Sequence, residues 1–442
     1  MTEQTTQQPK LTAEQIEIAQ KYDLTPKFIQ FLDRHLIYPL VENLDSIYTS
    51  KEVESMEYDL LKETYMTKFI KEKFDHLYPG KELPAEFIEK EKAIEQEFNE
   101  LDKATSKTLE ILASKDVQES LKQDKTYNRE YLSKNHQIDD AKILELYKFG
   151  KFQYNRGDYV VASDLLNNFR LLSVNQDLNL SATWGKISSE IITESWSDAL
   201  EELNKLREII DNRHFKGTTL DQLNKRTWLI HFSLFIFFNS ENGLESLVDL
   251  FFSSSYLSTI QASCPWILRY LIVAVISSKP QLRQKRLRDL IRAVQIEDYE
   301  YQDPFTNLIQ ILYVNYELDR LPAVMKQVKV VSDVDFFISH LNTAELYKNA
   351  QGLVLETVGK LYKVVSTEQL KEFINDESLE LTSTKENFDV QGDKVLISSA
   401  ESGSVYQQVY EKTKAFNFKT NQLLNNAFGI NSHNHKQPTQ EA

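Results

Sequence analysis

The segment LELYKFGKFQYNRGDYVVASDLLNNFRLL, residues 144–172, has the pattern of two α-helices joined by a tight turn. The first helix is expected over residues 144–154 and the second over residues 159–172, with Gly157 in the turn between them. Apolar side chains of the second helix recur at steps of three and four, at Tyr159, Ala162, Leu165, Phe169 and Leu172. Such a hairpin leaves one apolar face uncovered, so we expect it to stack on similar hairpins.

The next segment repeats this design. A helix over residues 183–194 is followed by a break at Ser195 and a second apolar face, at Trp196, Ala199, Leu203, Leu206 and Ile210. Ala162 and Ala199 occupy equivalent points of the two hairpins, 37 residues apart. A further break at Asn242-Gly243 starts another unit. This spacing is typical of a helical-hairpin α-solenoid, which we expect over residues 131–362.

The composition of the whole chain supports an all-α fold. Among 442 residues there are only 11 glycines and 10 prolines. Tight turns, hairpins and βα loops depend on these two residue types, so the shortage argues against barrels, sandwiches and doubly wound sheets. The hydrophobic share of 41% is enough for a buried core, which excludes a globally disordered chain.

Charge and cysteine content exclude several classes of protein. The formal net charge is −15, from 51 basic and 66 acidic residues, which argues against a dedicated nucleic-acid binder. A single cysteine, Cys264, excludes an intramolecular disulfide and a cysteine-built metal site.

The two most apolar runs, residues 228–238 and 266–276, contain His231 and Arg269 and are too short to span a membrane. We therefore expect buried helices there and a cytoplasmic protein.

The region before the solenoid is expected to be helical but less regular. Residues 1–20 are predicted to be a flexible leader with a frayed helix over residues 11–20, followed over residues 21–130 by N-terminal helices and a linker helix. The linker helix has a short heptad-like seam at Ile94, Phe98, Leu101, Thr105, Thr108 and Leu112. The polar residues 124–129 are predicted to be flexible.

The pattern changes after Val365. Ser366 is expected to cap a short helix, and β-rich arms around Gln391-Gly392-Asp393 predict a hairpin. A helix followed by a hairpin indicates a small winged-helix module over residues 363–400. A last helix is expected over residues 401–428, with an apolar face at Tyr406, Val409, Thr413, Phe416, Leu423 and Ala427, and then a disordered tail over residues 429–442.

A search for catalytic, cofactor or metal motifs identifies no such site in the sequence. Cys264 lies in an apolar segment and is interpreted as a buried structural residue. His35 and His231 are more readily explained as core histidines than as ligands, and His433 and His435 have no third ligand nearby. We therefore expect no enzyme activity, no cofactor and no metal.

One basic cluster opposes the acidic average. It lies in the segment QLRQKRLRDLIR and consists of Arg283, Lys285, Arg286, Arg288 and Arg292. One hypothesis is a contact with RNA phosphates. The alternative is a solvated helix face whose charges pair with acidic neighbours, which is common for helices of this composition.

Six long blocks of the sequence, in the same order, closely resemble a known family, the eukaryotic translation initiation factor 3 subunits designated e. The blocks are YDLTPKFIQFLDRHLIYPL (22–40), LYKFGKFQYNRGDYVVASDLL (146–166), WGKISSEIITESWSDALEELNKLREIID (184–211), RTWLIHFSLFIFF (226–238), CPWILRYLIVAVI (264–276) and YQQVYEKTKAFNFKTNQ (406–422). The resemblance implies a PCI domain, which is a helical-repeat arc that ends in a winged helix and also occurs in subunits of the proteasome lid and the COP9 signalosome.

The resemblance further implies a non-enzymatic scaffold. Its expected partners are sister PCI subunits, the 40S ribosomal subunit and messenger RNA. The implied subunit interface comprises the wing and the C-terminal helix, with Phe388, Val390, Val395, Ile397, Tyr406, Val409, Phe416 and Leu423. Residues 375–386 are short and poorly periodic for the recognition helix of such a domain, so a full and a reduced winged helix both stay open. A scaffold subunit of a proteasome-lid or COP9-like complex and a hydrolase with an unrecognised site remain the alternatives.

Overall fold

The computed structural model describes residues 11–81, 83–120, 124–212, 215, 217–375, 388–391, 394–397 and 405–434. These residues fall into two units, Met1–Ala350 and Gln351–Ala442 by their outer bounds. Nearly all described elements are helices, and one small antiparallel sheet lies in the second unit. The predicted all-α solenoid with a small β-hairpin is therefore confirmed.

The first unit begins with short helices. They are α1 (Ala13–Lys21), α2 (Thr25–Phe28), α3 (Arg34–Glu42), a 3₁₀ turn (Asn43–Ser46), α4 (Ser50–Leu61) and α5 (Thr67–Leu77). Helix α1 lies where the sequence predicts a frayed helix, and it is held by the reciprocal capping box of Thr12 and Gln15 and by the burial of Ala19. Residues 1–10 lie outside the described part of the chain.

Three helices connect this region to the solenoid: α6 (Ala85–Ala113), α7 (Lys115–Ser120) and α8 (Lys125–His136). The seam of α6 is a buried or half-buried face, and Ile94 and Leu112 join the same core cluster as Phe149 and Phe152. The prediction that residues 124–129 are flexible was wrong. Asp124 caps α8 by accepting hydrogen bonds from two backbone amides, and packing of this helix buries Asn128 and Leu132.

The solenoid follows as consecutive helices: α9 (Asp140–Arg156), α10 (Tyr159–Leu172), α11 (Gln176–Ile192), α12 (Trp196–Asp211), α13 (Thr219–Asn239), α14 (Gly243–Phe251), α15 (Ser254–Ser263), α16 (Leu268–Ser277), α17 (Pro280–Glu297), α18 (Pro304–Gln310), α19 (Leu321–Val334) and α20 (Phe336–Ser339). Three short pieces interrupt the series, namely the 3₁₀ turns Pro265–Ile267 and Leu318–Arg320 and the π-helical turn Ile311–Asn315.

The first hairpin has the geometry that its sequence predicts. Gly157 ends α9 at a φ of 93°, a left-handed conformation that glycine adopts without strain. Ala162, Leu165, Phe169 and Leu172 are all buried on α10, and Ala199, Leu203, Leu206 and Ile210 are buried in the same way on α12. The small residues at 162 and 199 let neighbouring helices approach closely.

The two most apolar runs form buried core helices, as predicted. Residues 229–238 of α13 and 268–276 of α16 are buried throughout. Within the described residues, no single helix is long and apolar enough to cross a membrane. The pair Ser254–Ser263 and Pro265–Ser277 reaches that length and composition only in combination, and it is bent by 119°.

The N-terminal segment lies across helices from both halves of the first unit. Asp33 accepts a hydrogen bond from the Tyr154 hydroxyl at 2.7 Å, and the amide Nδ2 of Asn43 donates to the carbonyl of Val334 at 3.0 Å. Phe28 stacks edge-on against His231 and Tyr270. Residues 22–43 therefore connect the early helices of the solenoid to its last ones.

The second unit begins within α21 (Thr343–Leu361) and continues with β1 (Val364–Ser366), α22 (Thr367–Ile374), β2 (Phe388–Gln391), β3 (Lys394–Ile397) and α23 (Val405–Asn434). Ser366 caps α22, and β2 and β3 form the predicted hairpin. The strand β1 was not predicted, and it pairs antiparallel with β3 to give the order β1-β3-β2. Helix α23 ends at Asn434 rather than near residue 428.

Two predictions concern residues that the structure leaves undescribed. The question whether the recognition helix is reduced concerns residues 375–386, of which only Asn375 is described, as the left-handed cap of α22. The C-terminal part of the predicted disordered tail, residues 435–442, is likewise outside the described residues.

Candidate partner-binding surfaces

The sheet of the second unit has two outer strands. β3 pairs with β1 on one side and with β2 on the other, so β1 and β2 each keep one edge that pairs with no other described strand. The predicted wing residues lie on the hairpin, where the register places Phe388 opposite Ile397 and Val390 opposite Val395. The side chains of Phe388, Val390 and Ile397 are outside the described part of the structure.

Val395 has a different position from the one the sequence suggested. It lies on the central strand opposite Val365, and both side chains are buried, Val395 completely. Val395 therefore contributes to the core of the small sheet and does not offer an exposed contact. Among the side chains of this sheet that the structure describes, Val364 on β1 is an exposed apolar one, at 47% exposure.

Helix α23 carries a seam whose large apolar side chains are exposed. Its positions alternate in steps of three and four, the spacing of heptad a and d positions. Its described side chains are those of Tyr406, Val409, Thr413, Phe416, Thr420 and Leu423, and the backbone position of Ala427 continues the spacing. The four large members are strongly exposed: Tyr406 at 87%, Val409 at 57%, Phe416 at 73% and Leu423 at 69%. The structure thus brings the predicted C-terminal contact residues together on one face.

The seam contains two threonines whose polar groups are already satisfied. The hydroxyl of Thr413 donates to the carbonyl of Val409 at 2.7 Å, and that of Thr420 donates to the carbonyl of Phe416 at 2.9 Å. Their methyl groups are left for packing. Thr420 was left out of the predicted face, although its spacing of four from Phe416 completes the heptad pattern.

The predicted basic cluster divides into two sets on α17. Arg286 pairs with Asp249 at 2.9 Å and lies over the ring of Phe252, and Arg283 also has an interaction partner. Lys285, Arg288 and Arg292 are exposed, and none of them makes an ion pair or hydrogen bond within the described residues. Only part of the cluster is therefore neutralised by acidic neighbours.

The cysteine and the two histidines that were considered as nucleophile or ligands have surroundings typical of structural residues. Cys264 is fully buried, which raises the pKa of its thiol and makes it a poor nucleophile. Burial lowers the pKa of His231 to about 4, and its ring accepts a hydrogen bond from the Trp266 indole at 3.2 Å while Nδ1 donates to the Thr227 carbonyl at 2.7 Å. His35 is also buried, with a lowered pKa, and contacts the Tyr159 hydroxyl at 2.9 Å.

No group of three potential metal ligands occurs among the residues that the structure describes. The tail pair considered at the sequence level lies beyond them, since the side chain of His433 and all of His435 are outside the described part.

A buried charge cluster was missed by the sequence analysis. The guanidinium of Arg269 lies 2.5 Å from the Asp303 carboxylate and 2.9 Å from that of Asp335. All three side chains are buried, and although burial alone would lower the pKa of Arg269, the two carboxylates hold it well above its usual range. Lys27, over the rings of Trp266 and Tyr301, supplies a second positive charge nearby. The feature of the sequence that could have indicated this cluster is an arginine, Arg269, inside an apolar run.

The charge cluster joins several helices, and its charged groups are already bound to one another and to backbone groups. Arg269 Nη2 also donates to the carbonyl of Tyr22, so the three donors used join α16 to α18, α20 and the N-terminal segment. Asp303 and Asp335 in turn cap α18 and α20 through backbone amides. Each of these charged groups thus has a structural partner, which is typical of a polar cluster that stabilises the packing of helices.

Comparison with known proteins gives a consistent family assignment. A family model described as "eIF3 subunit 6 N terminal domain" matches residues 23–153. Two similar curated proteins, from Yarrowia lipolytica and Schizosaccharomyces pombe, are both named as the eukaryotic translation initiation factor 3 subunit designated E. The first is 40% identical over 93% of this chain and 100% of its own length, and the second is 41% identical over 84% and 76%. The protein of that name from Aspergillus oryzae is 38% identical over 94% of both chains.

Proposed function

The chain belongs to the family of eukaryotic translation initiation factor 3 subunits designated E, and from this premise we propose that it is a non-enzymatic scaffold subunit of that factor. In this role it binds sister PCI subunits and, within the assembled factor, the 40S ribosomal subunit during the initiation of protein synthesis. We propose a cytoplasmic location for the same reason. The expected domain organisation, with a solenoid, a winged helix and a C-terminal bundle helix, is part of this proposal.

The observation that carries the proposal is the exposed seam of α23. Val409, Phe416 and Leu423 occupy the d-like positions and are each more than half exposed. Full burial of such side chains contributes roughly 1.5–3 kcal/mol each. A 30-residue helix with this pattern is characteristic of a strand of a helical bundle whose other strands come from partner chains.

The sheet offers a second attachment point. The outer strand β2 has an edge that pairs with no other described strand, and a strand from another subunit can add to it by the same ladder that joins β2 to β3. We propose that Phe388, Val390 and Ile397 contribute to this contact. Val395 is left out of the proposed interface because it is buried.

The absence of catalysis is also a proposal, supported by the surroundings of the reactive groups. Cys264 is buried with a raised pKa, and the carboxylates of Asp303 and Asp335 are engaged by Arg269 and by helix-capping amides. The names of the relatives favour the initiation factor over a subunit of the proteasome lid or the COP9 signalosome.

A matched pair of substitutions on α23 tests the seam. Phe416 and Phe418 are exposed to almost the same degree, 73% and 71%, but only Phe416 lies on the seam. Tagged wild type, Phe416→Asp and Phe418→Asp chains are each purified from cells, and the co-purified proteins are quantified by mass spectrometry. We expect Phe416→Asp to lose at least tenfold of the other initiation factor 3 subunits, and Phe418→Asp to keep them.

Sedimentation separates the alternatives. The wild-type chain is expected in the 40S fraction of a sucrose gradient, and Phe416→Asp should move to lighter fractions. Co-purification with 20S proteasome particles instead of 40S particles, or equal losses for the two phenylalanine variants, would contradict the proposal.

A further inference from the structure

The basic helix α17 presents an exposed cationic face in a strongly acidic protein. Its residues 280–297 include five basic and two acidic side chains, against a net charge of −15 for the chain. Nearby acids take up some of this charge, since Asp249 pairs with Arg286 and Glu245 with Lys279. Lys285, Arg288 and Arg292 are exposed and keep no such partner among the described residues.

An exposed aromatic side chain follows the cationic side of α17. Lys285, Arg288 and Arg292 are separated by three and four residues, which places them along one side of this helix. At 1.5 Å per residue the three cations extend over about 10 Å. Tyr299 lies in the turn after α17, two residues beyond its end, and is 84% exposed. We refer to Lys285, Arg288, Arg292 and Tyr299 as the basic–aromatic face.

We propose that the basic–aromatic face binds single-stranded RNA, with the three cations on successive phosphates and a base stacked on the ring of Tyr299. This activity goes beyond the scaffold role and does not depend on it. Aromatic rings stack with unpaired bases, whereas the bases of a duplex are already stacked on each other. An acidic protein surface would satisfy the cations but would leave the exposed ring without a role.

The salt dependence of binding counts the phosphate contacts. For single strands, the logarithm of the association constant falls with the logarithm of the salt concentration with a slope of about −0.7 per phosphate contact, so three cations give a slope near −2. The ring of Tyr299 is uncharged and contributes affinity without changing this slope.

The test uses the purified full-length chain and a fluorescein-labelled oligouridylate of about twelve nucleotides. Fluorescence anisotropy is measured between about 50 and about 200 mM salt. We expect Lys285→Glu/Arg288→Glu/Arg292→Glu to lose at least tenfold in affinity together with the salt slope. Tyr299→Ala should lose about fivefold or more and keep the slope. A duplex RNA of the same length should bind more weakly than the single strand.

A matched control carries the same charge change on another helix. Lys92, Lys103 and Lys107 are exposed on α6, and their replacement by glutamate should leave affinity within about twofold after correction for the longer-range charge. Circular dichroism confirms that each variant is folded. Absent binding by the wild type, equal binding of duplex and single strand, or an unchanged affinity in Tyr299→Ala each overturns the proposal.

Discussion

The guanidinium Nη2 of Arg269 lies 2.7 Å from the main-chain carbonyl oxygen of Tyr22, 247 positions earlier in the chain. The same guanidinium binds Asp303 and Asp335, so one side chain joins four separate elements of the first unit. Because Arg269 is 2% exposed, water cannot replace any of these contacts when the arginine is removed.

Replacement of Arg269 by methionine is expected to destabilise the protein by about 3–5 kcal/mol, since it leaves two carboxylates buried without their cation. Urea unfolding followed by circular dichroism measures the loss. Arg320→Met is the control, because Arg320 and its partner Glu317 are both largely exposed and the loss should stay within about 1 kcal/mol. Similar losses in the free energy of unfolding of the two variants would contradict the prediction that the buried cluster contributes more than an exposed ion pair.

The buried imidazole of His231 predicts a loss of stability in mild acid. Its folded-state pKa is about 4, below the ordinary 6.5, so the unfolded chain binds the proton more readily. The contribution of neutral His231 is complete above pH 6.5 and is lost as the pH falls towards 4, by roughly 3 kcal/mol in total. Wild type and His231→Gln are compared by urea unfolding at pH 7.5 and pH 4.5. The wild type should lose more stability than the variant, and parallel losses would contradict this origin.

Glu202 predicts a pH effect in a lower window. Burial alone would raise its pKa, but Arg170 and Lys186 lower it to about 2. The stabilisation is therefore complete above the unfolded value near 4.5 and disappears as the pH falls towards 2. At pH 7 we expect Glu202→Gln to cost about 2 kcal/mol, and the difference from wild type should shrink between pH 5 and pH 3. A constant difference over that range would rule out the ion pairs as its cause.

Two glycines should respond oppositely to alanine. A Cβ atom at Gly243 would lie 2.1 Å from the carbonyl oxygen of Phe237, so Gly243→Ala is expected to destabilise by about 1–3 kcal/mol. A Cβ atom at Gly352, inside α21, meets nothing within 4 Å, and Gly352→Ala should stabilise by about 0.5–1 kcal/mol. The thermal midpoints of the two variants should move in opposite directions, and a common sign would contradict the steric argument.

The sequence predicted the elements whose pattern is local. The α9–α10 hairpin followed from helical periodicity and a single glycine, and the β2–β3 hairpin from short β-rich arms around Gly392. The prediction for residues 124–129 was wrong because it rested on their polar composition alone. The capping role of Asp124 and the burial of Leu132 depend on what the helix packs against.

The features that could not be predicted depend on distant residues. β1 is three residues long and exists through its pairing with β3, about 30 positions later. The burial of Val395 follows from that same strand, so a hairpin considered alone makes the residue look exposed. The cluster of Arg269, Asp303 and Asp335 requires the relative placement of α16, α18 and α20, which no local pattern contains.

The hydrogen bond from Asn43 to Val334 spans 291 positions and has a consequence for how the protein is made. At about 5–20 residues per second, the ribosome needs roughly 15–60 s to synthesise the intervening chain. Phe28 has then emerged, but its ring partners His231, Tyr270 and Phe337 are synthesised one after another, Phe337 last. The N-terminal segment of the nascent chain must therefore be bound by a chaperone, or stay unfolded, until the last helices of the solenoid have left the ribosome.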